Sequence, residues 1–206
     1  FVSDVRRQLH PMARHFFAAA GQAGLPFTED FNGPAPEGVG RYQINTRRGM
    51  RWSAADAFLR PALRRSNTTL ATGALAERIL FEGRKAVGVV YRQGGNQHTA
   101  RARAAVVLSA GAIQSPQLLQ LSGVGPGDVL QRHGIAPVLA QAQVGANLQD
   151  HLAMSYTYQA TESTLNQVLS SLWGQLRFGI QYVATRKGPL SISVNQCGGF
   201  VRSHDA

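Results

Sequence analysis

Hydrophobic positions along this chain change period several times, and each change marks an element. Across residues 3–20, Val5, Leu9, Met12 and Phe16 share one helical face, and Gly21 and Gly24 close the run. Pro11 sits inside it, which predicts a kink or a helix starting there. Residues 27–40 hold Asn32-Gly33, Pro34, Pro36, Gly38 and Gly40 and read as loop. Residues 42–46 read as a short strand, and Ser53 is placed to cap a helix reaching Leu63, broken near Pro61. From residue 68 the pattern turns to alternation. Strands are predicted at 68–72, 76–81, 86–92 and 97–103, with turns at Glu82-Gly83 and Gly94-Gly95-Asn96, forming a β-meander. Further on, a short helix is predicted at 126–133, an extended piece at 135–139 and a strand at 153–160. Residues 164–184 form the longest predicted helix, with Leu165, Val168, Leu169, Leu172, Trp173, Leu176, Ile180 and Val183 at helical spacing. A strand over 191–202 follows Gly188-Pro189.

One stretch organises the rest. Residues 105–108, with Val106 and Val107 β-branched, read as a strand buried on both faces. Ser109-Ala110-Gly111-Ala112 is a small-residue turn where a backbone can approach a ligand. Ser115 then reads as the N-cap and Pro116 as the first residue of a helix that Gly123 ends. Strand, tight turn and helix make half of a nucleotide-binding βαβ unit.

Composition narrows the class. The chain has 206 residues, 44% hydrophobic and 16% charged, enough to bury a core. Net charge is +10, and its cations are arginines apart from Lys85 and Lys187. The arginines are scattered, without a basic helix, zinc pattern or aromatic RNA-binding motif, so nucleic-acid binding is not expected. Cys197 is the single cysteine, which excludes an intrachain disulfide. His10, His15, His98, His133 and His204 show no metal spacing and read as surface or packing residues, so no metal site is expected. No apolar run is long enough for a membrane span, and no signal peptide is visible. Both ends read as cut from a longer protein. The expected location is the cytoplasm, with a peripheral membrane position as the second option.

The motifs say more. Gly111, Ala112, Ser115, Pro116, Leu118, Leu119, Ser122, Gly123, Val124 and Gly125 resemble, in order and spacing, the second signature of the glucose–methanol–choline (GMC) flavoprotein oxidoreductases. Asp30-Phe31-Asn32-Gly33, Gly38-Val39-Gly40 with Tyr42-Gln43, and Asn147-Leu148-Gln149-Asp150-His151 resemble further family motifs, colinear over almost the whole chain. One departure is Ala142-Gln143, where the family usually has Pro-Gly before Val144-Gly145. Two family parts are not found: the GxGxxG dinucleotide loop and the C-terminal segment bearing the catalytic histidine. No catalytic residue is therefore assigned here.

The resemblance implies a mixed α+β and α/β fold. Part of a Rossmann-like FAD-binding domain, with a β-meander and a parallel strand–helix unit, would join part of a substrate domain with an antiparallel sheet and flanking helices. It implies a substrate-side segment at 1–65, an FAD-domain segment at 66–150 and a substrate-domain segment at 151–206. It implies that Ala76, Ala110 and Gly111 meet the adenosine half of FAD through main chain. Asn147, Asp150 and His151 would be structural, near the cofactor cavity. Ser193, Asn195, Gln196 and Phe200 would face the substrate. Choline-oxidising relatives carry Glu where Gln196 stands, which favours a neutral primary alcohol over choline. The implied activity is hydride transfer from that alcohol to flavin, with choline dehydrogenation as the alternative. The electron acceptor and oligomeric state stay open. A different class is also open: the chain alone as an inert folded module that keeps no FAD and self-associates through uncovered apolar faces.

Overall fold

A computed structural model describes residues 1–203; His204 lies outside the described residues. The chain forms two units, Thr69–Tyr156 and Phe1–Thr68 joined by the chain from Thr157 onward.

The first unit opens with a single 3-10 turn, Arg6–Gln8, and then α1, Ala13–Gln22. The helix expected over 3–20 is thus split. Leu9 is extended (φ −61°, ψ 143°), and Pro11 disfavours helical backbone at His10 before it. Phe16, Phe17 and Phe27 meet edge to face at 5.5 Å, and the Arg41 guanidinium lies 4.9 Å over Phe27. β1 is Gly38–Arg41, earlier than the strand expected at 42–46. Its partner at the far end of the chain decides this. The segment at Phe27 also bridges to Val39 in parallel. Space there demands glycine: a Cβ on Gly38 (φ +122°) would lie 2.4 Å from the Pro26 carbonyl oxygen. β2 (Thr46–Arg47) and β3 (Met50–Arg51) form a small hairpin. Helix Ala55–Leu59 then runs on into α2, Arg60–Ala62, through Pro61 rather than breaking there. Ser53 does cap it: its Oγ accepts from Asp56 N–H and donates to the Asp56 carboxylate at 2.6 Å.

The second unit is built on an antiparallel meander, β4 (Ala74–Glu82), β5 (Lys85–Gln93) and β6 (Asn96–Arg101), in that order. Ile79 and Val90 are its buried side chains. The strand expected at 68–72 is absent. So is the one at 105–108: those residues run unpaired, and Val107 is 86% exposed. A parallel strand needs a neighbour's carbonyls and amides, and no described strand lies beside it. α3, Gly111–Leu121, starts five residues before Pro116, so that proline is inside the helix. Ser115 does not cap from outside; its Oγ reaches back to accept from Ala110 N–H at 3.0 Å. α3 packs on β4 through Ser122, which donates to Leu118 O and accepts from Ile79 N–H at 2.8 Å. β7 (Val124–Gly125), α4 (Gly127–Arg132) and β8 (Leu139–Ala140) follow, β7 and β8 pairing in parallel. Leu130 of α4 is the most deeply buried side chain.

Residues 153–160, expected as a strand, are unpaired and largely exposed. Back in the first unit, the long predicted helix is two: α5, Leu165–Leu169, and α6, Leu172–Thr185. Thr164 and Gln167 form a capping box on α5, and Ser171 Oγ accepts from Gly174 N–H to start α6 afresh. α6 ends at Arg186 in the left-handed region. β9, Cys197–Phe200, is shorter than the strand expected over 191–202 and pairs antiparallel with β1, Gly40 opposite Gly198.

Candidate functional site

Each unit carries one candidate site. In the second unit, Gly111 opens α3 at φ +89°, with no atom within 4 Å of where a Cβ would project. Ala110 beside it and Ala76 on β4 are exposed. Ala76 stands at a bulge in the β4–β5 ladder, which breaks the regular pairing next to it. Small residues with open space before their main chain fit a flat ring lying against the backbone. These positions could hold the adenosine half of a flavin cofactor.

The loop after β8 is tied to α3. Gln120 Nε2 donates to Val144 O at 2.9 Å, and a Cβ on Gly145 would fall 2.7 Å from that same nitrogen. A groove of about 280 Å³ lies here, lined by Ile113, Pro116, Gln120, Gly145 and Leu148 among others. Asn147 is left-handed (φ 56°), and its Nδ2 donates to Gln143 Oε1 at 2.8 Å. So one residue of the atypical Ala142-Gln143 pair serves as the anchor for Asn147. Asp150 Oδ1 accepts from the backbone N–H of His151 at 2.8 Å, and both side chains are exposed.

In the first unit, the chain between α6 and β9 crosses α1 and α5 and leaves a groove of about 790 Å³. Ser193, Asn195 and Gln196 line it together. Phe200 does not join them; its ring packs edge-on against Phe31 at 5.1 Å. The wall is completed by Met12, Phe16, Leu165 and Leu169, which the sequence pattern had placed on apolar helix faces, by His10, read as a surface or packing residue, and by Asn166, which had no assigned role. The one sequence sign of a break there was Pro11, inside the helix expected over 3–20 and next to His10. Gln196 Oε1 accepts from the backbone N–H of His10 at 2.6 Å, joining two residues far apart in sequence. None of the lining residues is Asp, Glu, Lys or Arg. Cys197 also lines the groove, and burial pushes its thiol above the ordinary value, away from thiolate reactivity. Glu162, at the edge of this unit, is bound by His15 Nε2 at 3.1 Å and Arg14 at 2.8 Å, and its carboxyl is held below the usual range by those bonds.

Among the described residues no group of His, Cys, Asp and Glu could hold a metal ion, and no helix is long and apolar enough to cross a membrane.

The GMC oxidoreductase family pattern matches residues 1–153. The chain belongs to the GMC oxidoreductase family. It is 42% identical over 205 residues to an alcohol dehydrogenase (acceptor) of Pseudomonas putida, covering 98% of this chain and 37% of that protein. Against human mitochondrial choline dehydrogenase it is 44% identical over 197 residues, 94% of this chain and 33% of the relative. Among solved structures it resembles a formate oxidase, with a TM-score of 0.84 at 25% identity over 98% of this chain and 35% of that one. It also resembles an FAD-dependent oxidoreductase from Chaetomium thermophilum, with a TM-score of 0.79 at 28% identity over 91% and 34%. The chain therefore spans about a third of the length of these GMC relatives.

Proposed function

We propose that this chain is the central part of an FAD-dependent oxidoreductase that moves a hydride from the carbinol carbon of a neutral primary alcohol to flavin. The observation that carries the reading is the likeness, over nearly the whole chain, to an alcohol dehydrogenase and to choline dehydrogenases. FAD, when bound, supplies the hydride acceptor. Ala76, Ala110 and Gly111 hold its adenosine side by main chain, and Asn147, Asp150 and His151 shape the loop beside that site. Ser193, Asn195 and Gln196 bind the alcohol. No residue of this chain is assigned to proton removal, which the family resemblance gives to a C-terminal histidine, so the chain alone is expected to be inactive.

Choline is the second reading, favoured by the 44% identity to the human enzyme. The groove has no carboxylate, and of its two aromatic rings, Phe16 and Tyr158, the second is 84% exposed and closes no cage, which argues the other way. A quaternary ammonium cannot accept or donate a hydrogen bond; it needs a carboxylate or an aromatic cage. Gln196 offers an amide, and its oxygen is already committed to His10.

The test compares kcat/KM for choline with that for its uncharged tert-butyl analogue in the complete, flavin-loaded protein. The neutral alcohol is expected to win. Gln196→Glu keeps an acceptor for His10 N–H, so the groove should fold as before. The new charge should move the ratio towards choline by close to thirtyfold, about 2 kcal/mol of cation recognition. A wild-type preference for choline, or a ratio the substitution leaves unmoved, removes Gln196 from the substrate.

A further inference from the structure

His10 lines the same groove as Ser193, Asn195 and Gln196, and it is held from two sides. Its backbone N–H donates to Gln196 Oε1 at 2.6 Å, and its ring Nδ1 accepts from Met12 N–H at 3.2 Å. An Nδ1 that accepts a hydrogen bond carries no proton, so the neutral ring carries its proton on Nε2. The imidazole is thus a fixed tautomer presenting one donor, half-buried at the groove wall. Thr164, another polar lining residue, accepts from Gln167 N–H through Oγ1 at the start of α5, and its hydroxyl proton turns about the Cβ–Oγ1 bond with no set direction. A donor whose orientation is already fixed loses little freedom on binding, which makes it the more effective contact.

We infer that His10 recognises the substrate hydroxyl, its Nε2–H donating to the alcohol oxygen. The inference rests on the reading that this groove takes a primary alcohol. His10 then contributes affinity and orientation, while its Nδ1 bond to Met12 keeps the tautomer.

Two substitutions separate this role from a purely structural one. His10→Asn places an amide oxygen near the position of Nδ1, keeping an acceptor for Met12 N–H and deleting the Nε2 donor. His10→Gln places an amide nitrogen near Nε2 and deletes the Nδ1 acceptor. In the complete flavin-loaded protein, KM for the tert-butyl analogue of choline and the thermal midpoint are measured for both. His10→Asn is expected to raise KM about tenfold with a near-normal midpoint. His10→Gln is expected to keep KM within about twofold while the midpoint falls. The reverse pattern, equal KM rises in both, or no change in either assigns His10 to capping α1 and overturns the inference. If the unmodified protein turns over no primary alcohol, the parent reading fails before any variant is compared, and this inference falls with it.

Discussion

Single residues carry most of what joins distant parts of this chain. Ser122 is the clearest case. It is 8% exposed, and its one hydroxyl donates to Leu118 O and accepts from Ile79 N–H, fastening α3 to β4. Ser122→Ala would leave the Ile79 amide buried without a partner at a bulged strand. The expected cost is about 1–3 kcal/mol. A urea titration that shows an unchanged midpoint, with the Ile79 amide still protected from exchange, would refute it. Gln196 does the same work in the other unit, through one bond to His10. The spacing signature around Gly111 was legible as sequence, and so was the need for small residues there. Ser115 and Pro116 were misleading. Both are good first-turn residues, yet the helix starts at Gly111, because the left-handed Gly111 lets the chain turn earlier and Ser115 satisfies Ala110 from within.

Among the elements, periodicity placed the meander and α6 well, and missed what needs a partner. The meander is local: each strand finds the next across a glycine turn. Its outer face is clasped by Glu77, which accepts from Arg92 Nε at 2.7 Å and Gln97 Nε2 at 2.8 Å, linking β4, β5 and β6. The bonds from Gln97 and then Arg92 hold the Glu77 carboxyl below its ordinary value. A depressed folded-state pKa means that the carboxylate stabilises the fold at pH above the unfolded glutamate value. That contribution is lost as pH falls through the lower, folded one. Wild type should therefore be more stable than Glu77→Gln at neutral pH, and the gap should close on acidification. Thermal melts from neutral to strongly acidic pH check this; a gap that stays constant with pH would show that the charge is not involved. The break between α5 and α6 is also local in cause. Ser171 caps a new helix while the apolar stripe runs on from Leu169 to Leu172. A hydrophobic pattern continuous across a cap hides it.

For the chain taken whole, burial is the telling quantity. Leu172, Trp173, Leu176, Ile180 and Val183 of α6 are all more than half exposed, as are Val107, Leu148 and Leu152 of the second unit. Apolar faces of this extent draw cover from other molecules. The isolated chain is expected to self-associate, and replacing Leu176 and Ile180 together by Glu should weaken that association. Sedimentation velocity across a wide concentration range reads it, and a strict monomer without apolar-dye binding would contradict it. The same isolated chain is expected to hold no stoichiometric flavin, since no GxGxxG turn offers a helix N-terminus to the pyrophosphate. A yellow product with about one flavin per chain would refute that expectation.

What the sequence determined by itself was the family, the class of fold and the local elements. These rest on spacing: glycines where backbones turn, alternation where strands meet their neighbours in sequence, apolar stripes where a helix has one inner face. What only the tertiary structure decided was everything that depends on long-range pairing. β1 lies at Gly38–Arg41 because β9 comes to it from the other end of the chain, and the groove exists because that same segment passes over α1 and α5. Residues 105–108 and 153–160 have strand-like sequences but no hydrogen-bonded neighbour, and extended backbone without a partner is not a strand. His10 entered the candidate site for the same reason: sequence spacing reports on neighbours a few residues away, and its neighbour, Gln196, is not one of them.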